Sequence, residues 1–198
     1  MRSGVFCLDT YMEPFERGQW KDYREPQGVL VMKDDYGIIL PPAPPFRAAW
    51  GVPGSNERLI TDVETISGLG ATLRMHEVLK DKEYTVQGEP FSYFKGSPAA
   101  QGALNLSYGS IGKGRWYVPS KIELNMVFFN NWLEEINKCY LVMGIPVIRY
   151  GYYWSSIARE GYQSNAWYVY QSYADYALWD NGSKRYQDGV LACASFIL

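Results

Sequence analysis

Histidine is all but missing from this 198-residue chain, His76 being the only one. A His-rich metal centre is therefore excluded, and a histidine-based triad would have to be built around that residue, with no nucleophile motif beside it. Cysteine is scarce too. Cys7, Cys139 and Cys193 lie far apart and form no Cys-x-x-Cys pair, which argues against a thiolate zinc site, a dithiol redox pair or a disulfide-stapled scaffold. No apolar run approaches the roughly 18 residues of a membrane span. Val5-Phe6-Cys7-Leu8, closed by Asp9, is too short for the apolar core of an export signal. Excess charge is absent as well: 19 Lys and Arg against 21 Asp and Glu leave −2. That balance is not the footprint of a nucleic-acid binder or a basic membrane-surface protein. Gly112-Lys113-Gly114-Arg115 lacks the spacing of a phosphate-cradling loop. The adjacent carboxylates Glu134-Glu135 point in different directions on a helix and make a poor acid–base pair. Ser107 and Ser155-Ser156 have no base motif nearby. The residues thus point to no enzyme, no cofactor and no metal.

What the chain has in quantity is apolar and aromatic residues, at 47% and 16%. The first is enough for a packed core. Residues 28–32 and 36–40 flank Lys33-Asp34-Asp35 and predict a hairpin. Pro41 to Pro45 end regular pairing and read as a stiff connector. Leu69, Leu73, His76 and Leu79 predict a helix within residues 61–83. Ser97-Pro98 predicts a capped helix start, and Ser120-x-x-Glu123 a capping box. Leu124, Phe128 and Trp132 continue that second pattern, Asn130-Asn131 interrupt it, and Gly144 with Pro146 ends it. Ala166 to Tyr170 predicts a strand, Asp180-Asn181-Gly182-Ser183 a turn, and Gly189 to Leu198 a buried central strand. Residues 1–60 are expected to pack as a hairpin region on one domain with residues 61–198.

Residues 150–188 hold nine Tyr and three Trp among 39 residues, about twice the average aromatic density. Tyrosine joins a large, rigid apolar ring to a hydroxyl, so it binds at low entropic cost. Ile157, Arg159, Glu160, Tyr162, Ser164, Asn165, Tyr170, Ser172, Tyr173, Asp175, Tyr176, Trp179, Asn181 and Tyr186 are the candidate ligand-binding residues. Among them Tyr162, Tyr173, Tyr176 and Tyr186 sit between polar residues and are expected to be exposed. Trp167 and Tyr168 are expected to cover a sheet face.

Four blocks carry a resemblance: Gly114-Arg115-Trp116-Tyr117-Val118-Pro119-Ser120 with Glu123-Leu124-Asn125, then Tyr153-Trp154-Ser155-Ser156, Asn165-Ala166-Trp167-Tyr168-Val169 and Val190 to Phe196. In this order they resemble bacterial and phage C-type-lectin-like domains, among them the variable proteins of diversity-generating retroelements and the related WYLPS…YWSS…AWYV paralogous domains. The resemblance implies an α+β C-type lectin fold with two main helices, small antiparallel sheets and long loops. It implies a non-enzymatic protein that presents a variable surface within residues 150–198 to a protein or cell-surface ligand, at the cell surface or on a phage virion. A structural module of a fimbrial tip or phage tail is the alternative, and an enzyme of the formylglycine-generating type the remote one. The calcium-ligand triplets of true lectins, EPN and QPD, are absent, so no metal is implied.

Overall fold

A computed structural model describes residues 3–11, 13–16, 19, 27–54, 67–85, 93–173 and 176–197. The first sheet is built from β1 (Gly4–Leu8), β2 (Pro14–Phe15), β3 (Gly28–Lys33), β4 (Tyr36–Leu40) and β12 (Ala194–Ile197), in the order β12-β4-β3-β1-β2. The second contains β5 (Phe46–Ala49), β8 (Gly151–Ala158), β9 (Asn165–Gln171), β10 (Ala177–Ser183) and β11 (Gln187–Val190), in the order β10-β9-β8-β11-β5. All pairs are antiparallel except β8 with β11. A ribbon of β6 (Glu83–Thr85) and β7 (Tyr93–Lys95) stands apart. The helices are α1 (Leu69–Leu79), α2 (Pro98–Leu104), α3 (Lys121–Phe128) and α4 (Leu133–Val142).

This arrangement corrects the expected C-type lectin fold. The described residues form four separate helices, not two, and the sheets are open rather than closed into a barrel. Local signals explain the extra helices. Ser97 caps α2, accepting from the Ala100 amide, with Pro98 at the first helical position. Ser120 and Glu123 form the full capping box of α3. Asn131 adopts a left-handed backbone, φ 57°, and splits α3 from α4.

Three other expectations change. The buried stripe of α1 is Ala71, Thr72, Met75 and Leu79, while Leu73 faces solvent. The chain runs close to Val118 and Pro119 there: a Cβ on Gly68 would meet the Val118 carbonyl oxygen at 2.2 Å. Asp180 to Ser183 is not a turn but the end of β10, and the chain reverses at Lys184–Tyr186. Residues 189–197 do not make one central strand. They leave the second sheet after Val190, cross through the buried Leu191, Ala192 and Cys193, and join the edge of the first sheet.

That crossing stitches the two sheets together. The main core lies between the first sheet, α3, α4 and β8–β9, with Val31, Ile38, Leu124, Ile136 and Val169 all buried. Full burial of such side chains stabilises by about 1.5–3 kcal/mol each. The second core holds Trp50, Met75, Ala100 and Trp154 beneath α1 and α2. Its two tryptophans are also tied by hydrogen bonds: Trp50 Nε1 donates to the Ser155 carbonyl at 2.7 Å and Trp154 Nε1 to that of Ala48 at 3.1 Å. These bonds fix β5 against β8 and so hold the end of the second sheet.

Candidate tyrosine-lined site

Strand register decides which aromatic rings share a face. Trp154 pairs with Tyr168, Tyr152 with Tyr170, and Tyr170 with Leu178. Directly opposed residues point to one side. Tyr152, Trp154, Tyr168, Tyr170 and Leu178 therefore share one face, whereas Trp167, Trp179, Asn165 and Asn181 share the other.

On the first face the rings form a ladder that starts in the core and ends in solvent. Trp154 and Tyr168 meet edge to face at 5.6 Å, Tyr168 and Tyr152 at 5.0 Å, and Tyr152 stacks on Tyr170 at 4.9 Å. Just beyond the strand ends, Tyr150 stacks on Tyr173. Trp154 is fully buried, whereas Tyr152 is 45% and Tyr173 71% exposed. Together with Pro44, Pro45 and Pro146, these outer tyrosines line a cleft of about 550 Å³. Arg47 on β5, Arg149 and Asp188 on β11 supply its charges. Arg47 Nε donates to the Gln187 carbonyl at 2.7 Å, which anchors that guanidinium. Burial pushes the Asp188 carboxyl up to about 6, against the pull of Arg47. A hydrogen bond with Tyr150 holds the Tyr173 phenol above its ordinary value. At the cleft wall burial pushes Tyr153 up to about 12.

The opposite face carries a different construction. Lys121 Nζ lies 4.0 Å from the Trp167 ring centre and 4.6 Å from that of Trp179. The Arg159 guanidinium lies 3.8 Å over Tyr162 and 5.7 Å from Trp167, and Phe129 stacks on Trp179. Cations and rings thus alternate across the strands. The polar ends are satisfied: Trp179 Nε1 donates to Asn125 Oδ1 at 2.9 Å, and Arg159 and Asn165 both donate to Asn181 Oδ1. Burial lowers the Lys121 ammonium from its ordinary value.

The candidate residues are thereby separated. Tyr170 and Tyr173 enter the cleft, while Arg159, Tyr162, Asn165, Trp179 and Asn181 belong to the opposite face. Glu160 and Ser164 are exposed in the β8–β9 turn, Tyr176 just before β10, and Tyr186 beside Arg185. Ile157 and Ser172 lie at interior positions, 1% and 8% exposed, Ile157 within a run of β8 that is buried on both faces and Ser172 just past the end of β9. Asp175 lies outside the described residues. Tyr162, Tyr173, Tyr176 and Tyr186 are all at least half exposed, as expected from their polar neighbours. Sequence reasoning missed Tyr150, Tyr152, Arg47, Arg149 and Asp188. The first two had a signal, their place in the tyrosine-rich segment. Arg47 had none, because it arrives from a strand more than a hundred residues away.

The polar centre of the molecule lies elsewhere. Glu123, wholly buried, accepts at Oε1 from the hydroxyls of Tyr36 and, at 2.6 Å, Tyr117. At Oε2 it accepts from the amides of Gly68, at 2.9 Å, and Ser120, at 2.7 Å. Burial pushes its carboxyl up, and these four bonds pull it back only in part. Ser195 Oγ touches the Tyr117 hydroxyl at 2.5 Å. All partners are occupied, which is the organisation of a structural junction. Cys193 is buried nearby and its thiol is pushed well up by burial, the opposite of an activated nucleophile. Among the described residues no group of three or more His, Cys, Asp or Glu is placed to hold a metal ion. Among them, too, no helix is long and apolar enough to cross a membrane. Compared with known proteins, the chain matches no family model, no curated protein and no solved structure.

Proposed function

We propose that this chain is a non-enzymatic binding protein that seats a protein ligand in the tyrosine-lined cleft at the end of its second sheet. The observation that carries the reading is the pair of ring stacks, Tyr150 on Tyr173 and Tyr152 on the half-buried Tyr170, with Tyr150, Tyr152 and Tyr173 exposed around a concavity of about 550 Å³. Exposed rings of this size are normally covered, and tyrosines clustered in a pocket are the residues that dominate binding energy when truncated. The ladder back to Trp154 holds them before any ligand arrives, so little side-chain entropy remains to be lost.

Selection of random displayed peptides on the immobilised protein tests this. Binders are expected, and Tyr150→Ala with Tyr173→Ala should weaken them by about thirtyfold, the effect of losing one hot-spot cluster. The melting temperature should barely move, because both rings are largely exposed, Tyr150 at 49% and Tyr173 at 71%. Tyr162→Ala, on the opposite face, should leave the binders unaffected. Binders indifferent to Tyr150 and Tyr173 would overturn the reading. So would reversible self-association that these two substitutions abolish, since the face would then belong to a neighbouring copy.

A further inference from the structure

We infer that the cleft selects acidic peptides, taking an Asp or Glu side chain of the ligand onto the Arg47 and Arg149 guanidiniums while the tyrosines cover the flanking residues. The inference rests on the binding reading above and adds the ligand's chemistry. Among the described residues two arginines and one carboxylate line the cleft, so Asp188 alone cannot neutralise both guanidiniums. The Arg47 guanidinium donates to the neutral Gln187 carbonyl and also acts on the Asp188 carboxyl. The Arg149 side chain has no hydrogen-bond or ion-pair partner among the described residues, although the Arg149 carbonyl accepts from Tyr153 at 2.7 Å and so fixes the backbone there. A guanidinium offers a planar fork of donors that fits a carboxylate with two parallel bonds. Beside aromatic walls such a bond is less exposed to water than one on an open surface.

The ring geometry favours a peptide over an acidic saccharide. Sugars bind aromatic residues through an open ring face. Here one face of each of four rings is taken by its neighbour, Tyr150 against Tyr173 and Tyr152 against Tyr170, with Tyr168 edge-on to Tyr152. Beside them stand phenol hydroxyls and the rings of Pro44, Pro45 and Pro146. Those groups suit a backbone with amides to hydrogen-bond and side chains to pack.

The test uses the peptides selected above, a second selection on the Arg149→Glu variant, and oligogalacturonate as the saccharide probe. Arg149 is exposed and unpaired among the described residues, so Arg149→Glu should fold; Arg47→Gln provides a second variant on a separate strand. Peptides selected on the unmodified protein should share an Asp or Glu, and changing it to Asn or Gln should weaken binding about tenfold. Their affinity should fall with added salt. Arg149→Glu should weaken them further, and replacing the peptide's acid by Lys should restore binding to that variant. Peptides that need Tyr150 and Tyr173 but show no acidic preference and ignore Arg149→Glu would overturn the inference while leaving the cleft reading intact. Tyrosine-dependent binding of oligogalacturonate in place of peptides would overturn it as well. Peptides that ignore the tyrosines altogether would instead remove the reading on which it rests.

Discussion

Replacing Glu123 by alanine should be far more damaging than replacing it by glutamine, and the difference can be worked from its four hydrogen bonds. Alanine removes the acceptor for two backbone amides, Gly68 and Ser120, and for the Tyr36 and Tyr117 hydroxyls. The Tyr117 hydroxyl keeps Ser195 as a partner. Three buried or half-buried donors are then stranded, at about 1–3 kcal/mol each, so a loss of about 4 kcal/mol or more is expected. Glutamine keeps a carbonyl oxygen for the two amides, which cannot rotate. Its NH₂ group faces the two phenols, which can rotate and accept. Because burial already holds the carboxyl above its ordinary value, replacing it by a neutral amide gives up little charge stabilisation, and a loss of about 1 kcal/mol is expected. Urea unfolding followed by tryptophan fluorescence measures both, with seven tryptophans as reporters. Equal losses for the two variants would refute the reasoning, as would an alanine variant within about 1 kcal/mol of the parent.

Asp188 gives a pH dependence of defined sign. Its carboxyl is pushed up to about 6, above its unfolded value, so between about pH 4 and pH 6 the folded chain keeps a proton that the unfolded chain has lost. The corresponding stability is present below about pH 4 and lost as pH rises through about 6. Asp188→Asn should therefore gain stability over the parent at pH 7 but not at pH 4; after discounting for solvent screening at this half-buried group, about 1–2 kcal/mol should appear in parallel urea titrations. Lys121→Met keeps the stem but removes the cation between Trp167 and Trp179, and should cost about 1 kcal/mol in thermal unfolding, with a change in tryptophan emission.

Local rules made much of the fold legible. The hairpin of β3 and β4 follows from two apolar runs about a polar turn, and Asp34 takes the left-handed backbone that the reversal needs, φ 56°. The caps at Ser97 and Ser120 are short-range chemistry and form as the residue types dictate. The expectations that failed depended on long-range pairing. Nothing near Val190 announces that the chain will change sheets, because its continuation is decided by β4, some 150 residues earlier. The same holds for the site. Tyrosine density located the segment, yet alternation along β9 sends Tyr168 and Tyr170 to one face and Trp167 to the other. Only pairing with β8 and β10 makes that division into two surfaces readable.

The crossing from β11 to β12 also has a kinetic consequence. Until residues 194–197 have been synthesised, the outer edge of β4 has no strand beside it. Ile38, Ile39 and Leu40 stand on that open edge, and similar edges recruit other chains. A nascent chain thus carries an adhesive border from the time β4 emerges until β12 does, some 150 residues later. Slow closure of the first sheet and a need for chaperones during synthesis follow from that one crossing.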